Sequence, residues 1–139
     1  MSEAREIVVR LWLNRAAEAI AEADLLTRAG HSSAGVSRLY YACFYAATAA
    51  LQWRDLSSSK HSGVLSLFTR EFVKTGIIPA DVAQGYRELF SKRQRADYEP
   101  IVNWNVEDLE DWAAKAQRFV RRVERMLFPP VDPDDEEAK

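Results

Sequence analysis

The sequence predicts an all-α protein, an up-and-down antiparallel bundle of four long helices plus a shorter one. Apolar residues recur every three or four positions along most of the 139-residue chain, which is the period of an amphipathic helix. The five glycines and five prolines fall mostly between these stretches, where they punctuate the chain. No stretch has the pattern of a strand, and a chain of this length is expected to form one domain.

The segment 33–53 is the predicted centre of this bundle. It reads SAGVSRLYYACFYAATAALQW, and positions 39–51 are apolar or aromatic apart from one threonine. A helix that is apolar nearly all round needs neighbours on most sides, and this one is too short for a membrane span of about 20 apolar residues. Helical spacing places Arg38, Tyr41 and Tyr45 on one face, so the central helix carries one polar seam lined by tyrosines.

The first helix is predicted over Glu3–Ala29 and should end at Gly30, which suits the left-handed conformation of a helix terminus. Ser32 or Ser33 is expected to cap the central helix by accepting from a free backbone N–H group. We expect His31, which lies between the first helix and the central helix, to be an exposed residue of the connection. Because this connection is short, the first two helices should be antiparallel neighbours.

Three more helices follow a polar connector. The third is predicted over about 61–75, with Gly76 as its end. The fourth begins near Pro79 and ends at Glu99, where Pro100 disfavours helical geometry. The fifth begins after an asparagine cap, Asn105, and stops at the two consecutive prolines Pro129 and Pro130.

Charge and cysteine content exclude several classes of site. The formal net charge is −2, but five acidic residues against one lysine give the tail, residues 129–139, a net charge of −4, so the rest of the chain carries +2. Any nucleic-acid contact must therefore be local. A single cysteine, Cys43, allows no intrachain disulfide, and we expect no metal and no cofactor. We expect a bundle over 1–128, a disordered acidic tail over 129–139, no membrane segment, and a cytoplasmic location, because the N-terminus lacks a signal-peptide pattern.

The stretch Arg93-Gln94-Arg95-Ala96-Asp97-Tyr98 is unusual, because Arg93 and Asp97 continue an apolar helical line. Such residues are rarely buried unless they are paired. One interpretation is an internal ion pair that closes the end of the core. The other is a guanidinium that is held by a carboxylate and aimed at a phosphate, a task for which arginine suits better than lysine.

Three segments together resemble the HEPN superfamily, and in particular its small stand-alone branch with an R-x-x-A-D-Y ending. They are the central SRLYYACFYAATAAL, the pair Lys60-His61 that opens the third helix, and Arg93-x-x-Ala96-Asp97-Tyr98. The resemblance covers roughly residues 10–127. It implies a helical bundle that commonly forms a homodimer, with the motif of the fourth helix in a cleft at the interface. It also implies a toxin–antitoxin-like pair with a minimal nucleotidyltransferase, and a nucleotide or RNA ligand.

Catalytic HEPN ribonucleases carry R-x(4–6)-H, in which both residues act on the RNA phosphodiester, but this chain departs from that pattern. Tyr98 stands five residues after Arg93, and no histidine follows His61. Tyrosine is a poor general base near neutral pH, since its ordinary pKa is about 10. Only His61, from another helix, could bring an imidazole to the cleft, although it could equally be a structural residue at a helix start.

In some of these pairs the nucleotidyltransferase adenylylates a tyrosine near the motif. That tyrosine lies two residues after the family's histidine, a position that Pro100 holds here, so Tyr98 is an imperfect acceptor.

The site predictions follow from the motif and from the tyrosine seam. The predicted catalytic residues are Arg93, Tyr98 and His61, and the predicted phosphate- or nucleotide-binding residues are Arg93, Arg38, Tyr41, Asp97 and Lys60. We expect Arg38, Tyr41, Arg93 and Asp97 to meet between the second and fourth helices. Three functions remain open: phosphate binding within a toxin–antitoxin-like pair, a non-catalytic dimeric assembly module, and an active ribonuclease that uses His61.

Overall fold

A computed structural model describes residues 2–131, and within them the chain forms five α-helices and no strand. The helices are α1 (Glu3–Arg28), α2 (Ser32–Trp53), α3 (His61–Phe68), α4 (Ala80–Tyr98) and α5 (Val106–Leu127), and a π-helical turn over Thr69–Val73 continues α3. The predicted all-α bundle of four long helices and a shorter one is confirmed.

Helix α2 is the centre of the bundle, as its apolar surface predicts. It packs against α1, α3, α4 and α5. Five of its alanines are fully buried, which lets the neighbouring helices approach closely and fill the interior at high density. They are Ala42, Ala46, Ala47, Ala49 and Ala50. None of the described helices is both long and apolar enough to cross a membrane.

Most helix ends lie where the sequence predicts them. Gly30 and Gly76 have φ angles of +89° and +81°, which fit the left-handed conformation that glycine adopts without strain. Asn105 Oδ1 accepts from the amide of Glu107 at 2.8 Å and caps α5. Helix α4 ends before Pro100, as expected, because the preceding residue is extended.

The predicted serine cap of α2 is wrong. His31 holds the capping position, with no hydrogen bond from its side chain, and the helix begins at Ser32. The Ser33 hydroxyl is engaged elsewhere, since it accepts from Trp104 Nε1 at 2.7 Å. The loop before α5 therefore packs over the start of α2 and uses the side chain that could have served as a cap.

The third helix is also shorter than predicted. Its α-helical part ends at Phe68, and the next five residues form the π turn. Thr69 Oγ1 donates to the carbonyl of Leu65 at 2.8 Å, and such bonds bend helices. Arg54 Nη1 donates to the carbonyl of Glu71 at 3.2 Å, which fixes the turn from outside the helix. Both Phe68 and Phe72 remain in the core.

The division of the chain at residue 128 stays a prediction. Helix α5 ends at Leu127, and the acidic stretch of the predicted tail, residues 132–139, lies outside the described residues.

Candidate functional site

Arg93 lies on the inner side of α4 and contacts three other side chains through its guanidinium. Nε donates to Asp97 Oδ2 at 2.9 Å, one helical turn away. Nη1 lies 3.1 Å from His61 Nδ1, and Nη2 donates to the Tyr41 hydroxyl at 3.2 Å. The Arg93 side chain is 21% exposed, so it reaches solvent while its position is fixed by α2, α3 and α4.

Aromatic rings surround this contact. The guanidinium carbon of Arg93 lies 5.1 Å from the ring centroid of Tyr40 and 5.3 Å from that of Tyr41, within the range of a cation–π interaction. The imidazole of His61 packs on Phe44, with ring centroids 4.4 Å apart. The first residue of α3 is therefore held against α2 by stacking, and this places its ring beside Arg93.

The contacts of His61 determine its tautomer. A guanidinium can only donate hydrogen bonds, so Nδ1 must accept from Arg93 and carry no proton. The Tyr40 hydroxyl lies 3.1 Å from the same nitrogen, so it shares the single lone pair of Nδ1 with Arg93 as a second donor. His61 is therefore neutral, with its proton on Nε2, and it presents a hydrogen-bond donor at that atom. Partial burial and the charge of Arg93 both lower its pKa from the ordinary value of 6.5.

This lowered pKa predicts how stability depends on pH. Between the folded pKa and about 6.5, unfolded chains bind the His61 proton more readily than folded ones. The contribution of neutral His61 to stability is therefore fully present above pH 6.5 and is lost as the pH falls through that interval. We expect the free energy of unfolding, measured with urea, to decline there more steeply for wild type than for His61→Asn. Parallel curves from pH 7.5 to 5 would contradict this assignment.

Arg38 joins the same group through Tyr41. Its guanidinium carbon lies 5.0 Å from the Tyr41 ring centroid, and Nη2 donates to the Tyr45 hydroxyl at 3.2 Å. The polar seam of α2 thus exists as predicted, and the structure brings Arg38, Tyr41, Arg93 and Asp97 together, with His61 added from α3.

Two predicted site residues lie beside this group and make no hydrogen bond to it. Tyr98 follows Asp97 at the end of α4 and is 78% exposed. Lys60 precedes His61, and its side chain is exposed at the start of α3.

The sequence did not indicate two residues that the structure places at the seam. The Tyr40 hydroxyl reaches His61 Nδ1, and Arg15 Nη2 donates to the Tyr45 hydroxyl at 3.1 Å. A buried tyrosine usually finds a partner for its hydroxyl, which is a signal for Tyr40. Arg15 gives no such signal, because its position on α1 fits an ordinary solvent-facing residue.

Within residues 2–131, no group of three or more histidine, cysteine, aspartate or glutamate side chains could hold a metal ion.

Comparison with known proteins identifies the family. The family model described as "HEPN domain" matches residues 9–126. A "UPF0332 protein" from Thermotoga maritima is 38% identical over 123 residues, which cover 88% of this chain and 93% of the relative. A protein named "Putative toxin MJ0142", from Methanocaldococcus jannaschii, is 33% identical over 93 residues, 67% of this chain and 63% of its own length. The family model spans every residue of the site described above, and the chain belongs to the HEPN domain family.

Proposed function

We propose that this HEPN protein is the toxin-like component of a two-gene pair and binds the phosphate of a nucleotide or RNA at Arg93. Its partner would be a minimal nucleotidyltransferase, and the working form would be a cytoplasmic homodimer. The toxin-like assignment rests on the family and on relatives that are named as toxins.

The phosphate proposal rests on the N–H donors of the Arg93 guanidinium that have no partner among the described residues. It has five N–H donors, and its contacts with Asp97, His61 and Tyr41 use three of them. One donor remains on each terminal nitrogen, and the group is partly exposed. A planar fork with two free donors matches the oxygens of a phosphate.

The neighbouring groups have complementary roles in this proposal. Asp97 orients the guanidinium, and the Nε2–H group of His61 supplies a further donor to a phosphate oxygen. Arg38 and Lys60 add positive charge, while Tyr98 stacks on a base or donates a hydrogen bond. This arrangement binds an anion without any change in the protonation of the residues named.

Calorimetric titration with AMP and fluorescence anisotropy with a short labelled single-stranded RNA test the proposal. We expect saturable binding of at least one ligand, and we expect RNA binding to weaken as the salt concentration rises. If neither ligand binds, the same contacts serve only to hold the helices together, and the protein is better described as a non-catalytic assembly module.

A second function, RNA cleavage, is favoured by the contact between Arg93 and His61. The family's catalytic pair is an arginine and a histidine, and here α4 and α3 bring these two residue types within 3.1 Å. If the protein cleaves RNA, Arg93→Ala and His61→Ala should each lower the rate about 100-fold or more, since positioned acid–base groups contribute about 10²–10⁴. If RNA stays intact after long incubation with the wild-type protein, the protein has no ribonuclease activity, and only the binding proposal stands.

Tyr98 is the proposed acceptor if the partner transfers AMP from ATP: its hydroxyl oxygen would bond to the α-phosphorus and pyrophosphate would leave. It is exposed, whereas the chain's other four tyrosines are buried or half-buried: Tyr40, Tyr41, Tyr45 and Tyr86. Incubation with the neighbouring nucleotidyltransferase and ATP is expected to add one AMP to wild type and none to Tyr98→Phe, as measured by intact mass. An adduct that persists in Tyr98→Phe would remove this assignment.

The proposed homodimer has support from the surface beside the site. Ile101, in the connection between α4 and α5, and Val106, at the start of α5, are exposed apolar side chains. An interface between two copies of the chain would remove these side chains from water, which is favourable. Light scattering of the purified protein gives the oligomeric state directly.

A further inference from the structure

We infer a second phosphate subsite, formed by Arg15, Arg38 and Tyr45, which lets the protein hold two neighbouring phosphate groups of one ligand. This inference rests on the proposed function, because the first phosphate is the one bound at Arg93. The ligand is then a chain of nucleotides or a nucleoside diphosphate, and a nucleoside monophosphate occupies only one of the two positions.

The subsite is built around a single hydroxyl. Arg15 from α1 and Arg38 from α2 both donate to Tyr45 Oη, at 3.1 and 3.2 Å. Tyr45 is only 9% exposed, so this shared acceptor has a fixed position in the wall of the bundle. The Arg15 guanidinium also lies 4.4 Å from the Tyr45 ring centroid, which holds it against the wall. Two guanidinium groups from different helices thus converge on one point.

Neither of these arginines is neutralised within the described part of the chain. No carboxylate of residues 2–131 lies within 4 Å of Arg15 or Arg38, whereas Arg93 has Asp97. In addition, Arg38 Nε is buried without an acceptor. Two like charges placed this close repel each other, and an anion between them offsets that repulsion.

The hydroxyl proton of Tyr45 also favours an anionic ligand. Because both arginines can only donate, Tyr45 Oη accepts from each of them, and its own proton needs another acceptor. A phosphate oxygen at this position would accept from Tyr45 and from both guanidinium groups at once. The chemistry of the subsite therefore favours a phosphate over a neutral ligand.

Tyr41 connects the subsite to Arg93. The guanidinium carbons of Arg38 and Arg93 lie 5.0 and 5.3 Å from its ring centroid, and the ring centroids of Tyr41 and Tyr45 are 5.8 Å apart. The Tyr41 ring thus lies against both guanidinium groups, so a ligand with more than one phosphate can contact both. A row of basic groups interleaved with aromatic rings is also the arrangement by which proteins bind single-stranded nucleic acid.

Binding of AMP, ADP and a short single-stranded RNA to wild type and Arg15→Gln tests the inference. We expect Arg15→Gln to weaken the binding of RNA, ADP or both about tenfold, as the loss of one charge-assisted contact predicts, and to leave AMP unchanged. If RNA is the source of the phosphates, the slope of log affinity against log salt falls by about 1. If the source is a nucleotide, ADP alone is affected.

Arg28→Gln is the matched control, since it removes one charge from α1 about 20 Å further along the helix. Arg28 pairs with Asp24 on the exposed side, so its loss should leave all three affinities unchanged. Equal weakening of AMP and the longer ligands by Arg15→Gln, or no effect on RNA and ADP, overturns the second subsite while AMP binding at Arg93 stands. Absence of binding of all three ligands to wild type overturns the proposed function and this inference together.

Discussion

Replacement of Arg93 by glutamine is expected to weaken the binding of AMP and of single-stranded RNA at least thirtyfold. The change removes the two free donors of the guanidinium, and it also leaves Asp97 without its partner at 2.9 Å. An unpaired carboxylate beside the binding position repels a phosphate, so both consequences act in the same direction. A hydrogen bond to a charged group contributes about 1.5–3 kcal/mol, so the loss of two such bonds to a phosphate corresponds to this factor or a larger one.

Arg93→Lys separates charge from geometry. Lysine retains the positive charge but offers a single ammonium group, so it cannot contact Asp97, His61 and Tyr41 in the way that the planar fork does. We expect binding between that of wild type and that of Arg93→Gln. The double variant Arg93→Gln/Asp97→Asn should recover part of the loss, because it removes the carboxylate that repels the ligand.

Arg95→Gln is the control for net charge in this experiment. Arg95 lies two positions further on α4, is more exposed than Arg93 and pairs with Glu99 at 3.4 Å. Its loss should change affinity only slightly. If Arg95→Gln is as damaging as Arg93→Gln, binding depends on the general charge of α4, and the specific role of Arg93 is wrong.

The fold could be predicted because each long helix has its own apolar period and its own terminal residue. Gly30, Gly76 and Pro100 act through their own backbone preferences, so their effects are visible locally. The π turn could not be predicted, since it depends on Thr69 bonding back to Leu65 and on an arginine from outside the helix. The Ser33 cap failed for the same reason, because a tryptophan 71 positions away takes its hydroxyl.

The contacts of the site also fall into those that local sequence predicts and those that depend on how the helices pack. The Arg93–Asp97 pair follows from helical spacing alone, and the alignment of Arg38 with Tyr41 follows from the period of α2. The contact of His61 with Arg93 joins residues 32 positions apart and depends on how α3 packs against α2, which local patterns do not reveal. The family resemblance left His61 open as an imidazole for the cleft, beside a structural role at the start of a helix. Nothing in the sequence pointed to Arg15, whose contact with Tyr45 depends on the packing of α1 against α2.

Replacement of Phe119 by alanine is expected to lower the free energy of unfolding by about 3–5 kcal/mol. Phe119 is fully buried on α5, and its ring centroid lies 5.3 Å from that of Phe68 on α3 and 5.2 Å from that of Tyr86 on α4. The loss is a large share of the roughly 5–15 kcal/mol that stabilises a typical domain. Urea unfolding gives the value, and the midpoint should fall with little change in slope.

Gln117→Ala on the same helix is the control for this prediction. Gln117 is exposed, so its truncation should change stability by less than about 0.5 kcal/mol. Because Phe119 ties α5 to the helices that carry His61 and Arg93, its loss should also loosen the contact between those two residues before the whole chain unfolds. We therefore expect Phe119→Ala to bind RNA more weakly than wild type even where both are folded. Unchanged binding would mean that α2 alone keeps α3 and α4 in register, and that the site does not depend on this part of the core.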